Sequence, residues 1–285
     1  MRIPFDGGAA MASGALTRGQ LRHRYRPLLR GVHIPRSHLP TLRERIDAAL
    51  LAVPDGVIGG AAAAALHGAR WVSDTEPVEV FAQCRHQVGL VIRKDLLPAA
   101  EIATVGGIPV TTRERTAFDL ARRFRRSTAI GRLDALMRDA PYRIEDVLAL
   151  AQSHPGVRGL VQLREILPYV DGGAESPRES WLRLLFIDAG LPRPRTQFVV
   201  RTIEGRYIRR LDMVWEDYRV GAEYDGEQHL SDRTVYARDV WVGRELQRAG
   251  WRLIRVIKED RPSDIVGHAR AALESRGWSG AAGRK

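Results

Sequence analysis

The chain has little cysteine and few aromatic residues, and it has no long apolar run. Its single cysteine, Cys84, cannot form an internal disulfide or supply a cysteine-rich zinc site. The longest apolar run, residues 57–66, has about ten residues, mostly alanine, and is too short to span a bilayer. Residues 1–15 lack the charged-then-apolar order of a secretory signal. These absences predict a cytoplasmic protein with no membrane partner and no disulfide framework.

What the chain does have is positive charge. Its 285 residues carry a formal net charge of +11, 44% of them are hydrophobic, and 28% are charged. This length accommodates two domains that each bury a core. A basic surface attracts polyanions, of which nucleic acid is the commonest inside cells. Arginine outnumbers lysine, which suits bidentate phosphate contacts but also arises from genomic GC bias.

A glycine-containing break at residues 171–174 predicts the domain boundary. The first domain, residues 1–172, alternates short strands and helices and ends in a helical tail, which predicts an α+β fold. The second domain, residues 173–278, has the predicted order helix, three strands, helix, strand, helix. Residues 279–285 read as a disordered tail.

The N-terminal segment, residues 14–38, is rich in arginine. Thr17 is suited to cap a helix, and a short extended stretch through Gly31 follows it. A helix and then a strand, both bearing arginines, are typical of a shortened winged helix. A basic arm packed on the next domain is the alternative.

The most informative segment is a predicted β-hairpin. Two β-favouring runs, 207–215 and 219–225, are separated by a polar loop of three residues. A register symmetric about this loop places Asp212 opposite Glu223, at about 5 Å between Cβ atoms, with Asp225 on the same side. Like charges this close repel, and a hard divalent cation that binds the carboxylate oxygens would stabilise the arrangement. A register slipped by one residue would instead turn one acid to solvent.

His229 lies six residues after Glu223, at the predicted mouth of the strand. An imidazole there could transfer a proton to or from a reacting water or oxygen, because its reference pKa is near working pH. A histidine in a loop is also often a plain surface residue. Its interest here comes from its closeness to the acids.

The second domain resembles the PD-(D/E)XK nucleases, and most closely the very-short-patch-repair type of endonuclease. The resemblance covers about residues 175–260 and is carried by four pieces, which are Arg210–Met213, Glu223–His229, Asp239–Leu246 and Gly250–Arg255. It implies an α/β restriction-endonuclease-like fold, with a mixed central sheet flanked by helices. It also implies Mg²⁺ or Mn²⁺ as cofactor and Glu179 as an outer metal ligand. Glu179 fits equally well as a plain capping-box residue of the preceding helix.

Two positions depart from the nuclease pattern. Asp225 stands where the Glu-x-Lys element has its lysine, so His229 or Lys258 would have to replace that lysine. Val242 stands at a helix position that is often arginine in relatives.

The first domain resembles the AbiEi-type antitoxins of type IV toxin–antitoxin systems over about residues 14–170. The segments that carry this resemblance are Gly60–Gly68 and Gly107–Ala121. It implies a winged helix that binds operator DNA and a toxin or other defence-system partner. The DNA contacts that it implies are Arg18, Arg22, Arg24, Arg26 and Arg30. Arg115 and Asp119, at helical spacing, are favoured as a buried structural ion pair over a functional pair.

Together these features predict a metal-dependent DNA endonuclease with a regulatory or DNA-binding front domain. Asp212, Glu223 and Asp225 would hold the cation, with Glu179 and His229 assisting. The phosphate backbone of the DNA would be contacted by Arg193, Arg195, Arg201, Arg209 and Arg210. The alternatives are a non-catalytic antitoxin-like regulator and a transposase-like nuclease subunit that needs a partner. The sequence leaves the DNA site, the oligomeric state and strand-versus-duplex cleavage open.

Overall fold

The computed structural model describes residues 3–225 and 233–280, with side chains at 233–237 left out. The chain divides into two compact units, Met1–Pro168 and Tyr169–Lys285. The predicted boundary lies four residues later, after residue 172. Each unit combines helices with mixed sheet, in agreement with the predicted mixed α and β composition.

The first unit begins with a small antiparallel sheet in the order β1-β3-β2. Its elements are β1 (Phe5–Asp6), α1 (Gly7–Ala12), α2 (Arg18–Arg24), β2 (Tyr25–Leu29) and β3 (Val32–Pro35). Thr17 caps α2 as predicted, and Gln20 completes a capping box with it. The predicted winged-helix segment thus contains α2 and the β2–β3 hairpin, while β1 and α1 precede it and were not predicted.

A five-stranded mixed sheet in the order β6-β5-β4-β8-β7 forms the centre of the first unit. Its elements, with the helices beside it, are α3 (Leu42–Ala52), β4 (Val57–Gly59), α4 (Gly60–Leu66), β5 (Val78–Phe81), β6 (Leu90–Arg93), β7 (Ile102–Val105) and β8 (Ile108–Thr111). Ile58, Val80 and Val110 are fully buried in its core. Gly60 has φ +59°, and a Cβ there would lie 2.3 Å from Glu79 Oε1, so only glycine permits this close packing.

Helices complete the first unit. They are α5 (Arg113–Arg123), α6 (Arg126–Asp139), α7 (Ile144–Ser153) and α8 (Leu160–Ile166). Thr112 caps α5, since its hydroxyl accepts from the Arg115 N–H at 3.2 Å. Helix α5 contacts the other three, and its residues 115–121 are all buried.

The second unit is built on a four-stranded sheet in the order β12-β11-β10-β9. Its elements are α9 (Pro177–Asp188), β9 (Arg195–Arg201), β10 (Tyr207–Trp215), β11 (Val220–Tyr224), α10 (Arg233–Arg248), β12 (Arg252–Val256) and α11 (Pro262–Glu274). Strands β9, β10 and β11 are antiparallel, and β12 joins β11 in parallel. The observed element order is the predicted one.

Two apolar clusters show how helices flank this sheet. Residues of α9 and α11 pack with Met213, Trp215 and Ala222 in one cluster. Val242 and Leu246 of α10 pack with Leu211 and other strand residues in the other. Val242 is therefore a core residue, which accounts for an apolar side chain at that helix position. Across residues 3–225 and 233–280, no helix has the length and apolarity needed to cross a bilayer.

Candidate functional site

The hairpin of β10 and β11 positions the two predicted metal ligands. Its register pairs Met213 with Ala222 and Trp215 with Val220, which is the register predicted from the polar loop. Asp212 and Glu223 are the next residues of this register, and the charge of Glu223 acts on Asp212. The alternative of a register slipped by one residue is therefore wrong.

The two carboxylates have different hydrogen-bond partners. Asp212 Oδ2 accepts from the Tyr224 N–H at 3.0 Å, so the hairpin backbone fixes its orientation. Glu223 is 6% exposed, and its Oε1 accepts from Arg209 Nε at 2.7 Å. Arg209 also donates to Asp239 Oδ1 of α10 at 3.3 Å. The Arg209 guanidinium thus links β11 to α10 and neutralises part of the negative charge of Glu223 and Asp239.

Glu179 reaches the same site from the first turn of α9. Its backbone N–H donates to the Ser176 hydroxyl at 3.2 Å, as in the predicted cap, and its Oε2 accepts from the Glu175 N–H at 2.8 Å. The negative charge of Asp212 contributes to a raised pKa of the same carboxylate. The capping role and the site role are therefore compatible. We call Glu179, Asp212 and Glu223 the acid cluster.

Gln197 of β9 is the residue of this site that sequence reasoning missed. It lies opposite Asp212, between the register pairs Phe198–Leu211 and Thr196–Met213. Its Nε2 donates to Glu179 Oε2 at 3.1 Å, and its backbone has φ +51°, a conformation that side-chain-bearing residues rarely adopt. The sequence carries no signal for this conformation, because the residue there is not glycine or asparagine.

The electrostatics of the acid cluster are unfavourable for ionised carboxylates. Burial raises the pKa of Asp212 to about 6, and the charges of Glu223 and Glu175 add to the effect. Burial also raises the pKa of Glu179, with the charge of Asp212 adding to it. Burial raises the pKa of Glu223 despite the opposing charge of Arg209. All three acids therefore hold their protons more strongly than ordinary carboxyl groups.

The side chains of the acid cluster are oxygen donors, the chemical type that hard divalent cations prefer. Among the described residues, the carboxylates in and next to the cluster outnumber the arginines that pair with them or act on them. The carboxylates are Glu175, Glu179, Asp212, Glu223, Asp225 and Asp239, and the arginines are Arg209, Arg210 and Arg255. Oxygen ligands with surplus negative charge are what Mg²⁺ and Mn²⁺ prefer. In the part of the chain that is described, however, no group of three or more His, Cys, Asp or Glu side chains is placed so that it could hold a metal ion.

The other residues predicted for the acidic site are Asp225, His229 and Lys258. Asp225 follows β11, and its charge acts on Glu223, so it is near the cluster. His229 falls outside the described residues, and its role stays a prediction. Lys258 follows β12.

The arginines predicted to contact nucleic acid are mostly exposed, but several have acidic partners. Arg195 pairs with Glu216 at 3.0 Å, and Arg210 donates to Glu175 at 2.8 Å. Arg193 and Arg201 are exposed beside these strands, and Arg18, Arg22, Arg24 and Arg30 are exposed on α2 and the hairpin after it. Arg26 is half-buried and donates to the His38 carbonyl. Their contacts with nucleic acid stay predictions.

Comparison with known proteins shows which family the chain belongs to. It is 33% identical over 218 residues to uncharacterized protein MT2308 of Mycobacterium tuberculosis strain CDC 1551 / Oshkosh, a match that covers 74% of this chain and 79% of the relative. Uncharacterized protein Rv2248 of strain ATCC 25618 / H37Rv matches with the same identity and coverage. The chain belongs to the family of these two proteins. Residues 54–169 match the family model of the AbiEi antitoxin C-terminal domain. No solved structure matches the chain.

The AbiEi-matching segment corresponds to the central sheet of the first unit and helices α4 to α8, and the predicted AbiEi resemblance is confirmed there. The match supports a toxin–antitoxin or abortive-infection regulator. It ends at residue 169, so the nuclease resemblance of about residues 175–260 gains no support from it.

The AbiEi-matching segment buries a network of ion pairs. Arg115, 1% exposed, donates from Nε to Asp119 Oδ2 at 3.0 Å, which is the predicted structural ion pair. Arg115 also donates to Glu101, whose other oxygen lies 2.6 Å from His154 Nε2. We call Glu101, Arg115, Asp119 and His154 the buried ion network.

Proposed function

We propose that this protein is an antitoxin-type regulator whose second unit is a divalent-cation-dependent DNA nuclease. The regulator part rests on the AbiEi match of residues 54–169. The nuclease part rests on one observation, the convergence of Glu179, Asp212 and Glu223 with an excess of negative charge. The order of strands and helices around the cluster is the one expected of PD-(D/E)XK enzymes, which is a further argument for this proposal.

Asp212 and Glu223 would hold Mg²⁺ or Mn²⁺, with Asp225 assisting. When bound, such a cation polarises a phosphodiester and lowers the pKa of a bound water. Glu179 would accept a proton from the attacking water, since burial raises its pKa towards the working range. Gln197 would orient Glu179 through the bond at 3.1 Å. His229 is the second proposed proton-transfer group.

Plasmid cleavage by the full chain tests this proposal. We expect Mg²⁺- or Mn²⁺-dependent nicking that Asp212→Asn and Glu223→Gln each reduce by about 100-fold or more. Asp217→Asn is the matched control, because it removes the same charge from an exposed position of the hairpin loop. Wild-type protein that leaves the plasmid intact, or site variants as fast as the control, would refute the nuclease.

A non-catalytic regulator is the second candidate, and the Arg209 contacts favour it. Arg209 already neutralises Glu223 and links it to Asp239, which would give a closed structural cluster without a cation. DNA binding would then come from α2, which Thr17 and Gln20 cap and which exposes Arg18 and Arg22. Metal-independent gel shifts that Arg18→Gln/Arg22→Gln weakens, without any cleavage, would support this reading. A toxin or other defence-system protein is the proposed further partner.

A further inference from the structure

The first unit contains a cavity of about 580 Å³ whose walls are rich in arginine. Five arginines line it, together with a single acid, Asp95. They come from separate segments, namely Arg93 of β6, Arg122 and Arg123 at the end of α5, Arg125 before α6 and Arg158 before α8. We call this set of five the arginine pocket. Neither the proposed nuclease nor DNA binding by α2 uses it.

The floor of the arginine pocket is rigid. The side chains of Arg122 and Arg123 are 6% and 10% exposed, and Asp119, fully buried behind them, lies 2.8 Å from Arg122 and 3.1 Å from Arg123. Glu79 holds Arg123 from the other side at 3.0 Å. These contacts fix both guanidinium groups before any ligand arrives, which lowers the entropy cost of binding one.

The rim of the pocket is available for a ligand. Arg125 and Arg158 are exposed, and neither side chain forms an ion pair with any residue that the structure describes. The Arg158 segment lies directly against α5, because Gly159 has φ +92° and a Cβ there would be 2.3 Å from the Arg122 carbonyl oxygen. The rim arginines are thereby held close to the floor.

The contacts of Asp95 show that the floor of the arginine pocket binds a carboxylate. One of its oxygens receives hydrogen bonds from both Arg122 and Arg123, although its side chain is 41% exposed. Burial would raise the pKa of Asp95, but the hydrogen bond from Arg122 and the charges of both arginines outweigh burial and lower it. A partly exposed loop carboxylate thus occupies the place of an anion between two fixed guanidinium groups.

Positive charge remains in excess despite this acid. Burial lowers the pKa of Arg123, and the charges of Arg122 and Arg93 act in the same direction against Asp119 and Glu79. Guanidinium groups bind phosphate oxygens in a bidentate geometry, and converging arginines are a recurrent phosphate site. The pocket volume lies within the range of small-ligand sites, about 300–1,000 Å³.

We propose that the arginine pocket binds the polyphosphate group of a small soluble ligand, with a phosphate displacing the carboxylate of Asp95. The concave shape favours a small ligand over duplex DNA, because backbone phosphates of a duplex would reach Arg125 and Arg158 at the rim but not the buried floor. The site lies inside the AbiEi-matching segment, so its occupancy would give the regulator a small-molecule input.

Calorimetric titration of the full chain with inorganic tripolyphosphate, at physiological ionic strength, tests the proposal. We expect saturable binding that Arg125→Gln/Arg158→Gln weakens about tenfold or more, since two charge-assisted contacts are lost. Arg113→Gln/Arg164→Gln is the matched control, because it removes the same charge from exposed positions of the same unit outside the pocket. Equal weakening in both double variants, or no binding at millimolar tripolyphosphate, would overturn the proposal.

Asp95→Asn separates a ligand on the floor from one on the rim. We expect it to tighten tripolyphosphate binding roughly threefold or more, because it removes the competing negative charge. The same variant should leave the affinity for a short DNA duplex unchanged. A duplex that competes fully with tripolyphosphate and whose own affinity rises in Asp95→Asn would identify the pocket as a DNA-backbone contact and overturn the small-ligand proposal.

Discussion

The first unit buries the ion network and the second unit buries the acid cluster, and the two differ in their balance of charge. In the network, Arg115 lies between Asp119 and Glu101, and Arg122 and Arg123 also pair with Asp119, so the buried acids do not outnumber their guanidinium partners. Burial would lower the pKa of Arg115, but the two acids outweigh burial and raise it. Every charge there is stabilised by its neighbours.

The acid cluster has the opposite character. Arg209 donates a hydrogen bond to one of its three carboxylates, that of Glu223. Burial raises the pKa of all three carboxylates. Ionisation of these groups costs the fold free energy that nothing in the cluster fully returns. A balanced buried set fits a structural role, whereas buried carboxylates with raised pKa values mark the acid cluster as a candidate functional site.

The largest expected effect comes from breaking the balanced set. Arg115→Met should destabilise the first unit by about 3–5 kcal/mol, because Asp119 and Glu101 would remain buried without their cation. Thermal unfolding followed by far-ultraviolet circular dichroism measures the loss. Arg113→Met, two residues earlier and exposed, is the control and should change stability by less than about 0.5 kcal/mol. A loss at Arg115 no larger than the control would show that the network is not structural.

Relieving the unbalanced set should have the opposite sign. With a chelator present, Asp212→Asn should stabilise the second unit by about 2 kcal/mol at pH 8, since a pKa raised by burial marks a destabilised carboxylate. The asparagine keeps an oxygen to accept the Tyr224 N–H. Tryptophan fluorescence reports this unit, because most tryptophans lie in it. They are Trp181, Trp215, Trp241, Trp251 and Trp278.

The pH dependence sharpens the same prediction. The folded pKa of Asp212, about 6, lies above its ordinary value of 3.8, so the folded state binds the proton more tightly. Its stabilising contribution is complete below pH 3.8 and is lost as the pH rises through about 6. The stability difference between Asp212→Asn and wild type should therefore grow between these values. Asp217→Asn should show no such trend, and a flat difference for Asp212→Asn would contradict the assigned cause.

The link between Arg209 and Glu223 should give a moderate effect. A double-mutant cycle with Arg209→Met and Glu223→Gln should yield a coupling free energy of about 1.5 kcal/mol, because both groups are partly buried and their bond is short. Chemical denaturation with fluorescence detection measures all four proteins. A coupling near zero would mean that Arg209 does not offset the charge of Glu223, and that the cluster is less balanced than its hydrogen bonds indicate.

The sequence predicts the parts of this molecule that local chemistry determines. The three-residue polar loop fixes the hairpin register, and with it the meeting of Asp212 and Glu223. Capping threonine and serine residues mark the starts of α2, α5 and α9. The sequence does not mark the short strand β4, because it runs without a break into the alanine-rich α4.

What the sequence does not predict depends on tertiary contacts. Gln197 of β9 lies in the site with an unusual backbone conformation, which follows from its pairing with β10 and not from any local sequence signal. Arg209 was expected to contact phosphate. It instead binds Glu223 and Asp239, a pairing that requires the position of α10 over the sheet. The arginine pocket gathers residues from four parts of the first unit, and no spacing pattern announces it.

The smallest expected effect comes from an exposed ion pair of the same hairpin. Arg195 and Glu216 lie 3.0 Å apart, but their side chains are 67% and 53% exposed, so water and salt screen the attraction. A cycle with Arg195→Met and Glu216→Gln should give a coupling of about 0.3 kcal/mol, well below that of Arg209 and Glu223. Because the cycle cancels the contact of Arg195 with the Phe198 ring, it isolates the ion pair. A coupling as large as the buried one would show that burial is not what makes the acid cluster costly, and the case for a cation there would lose its physical basis.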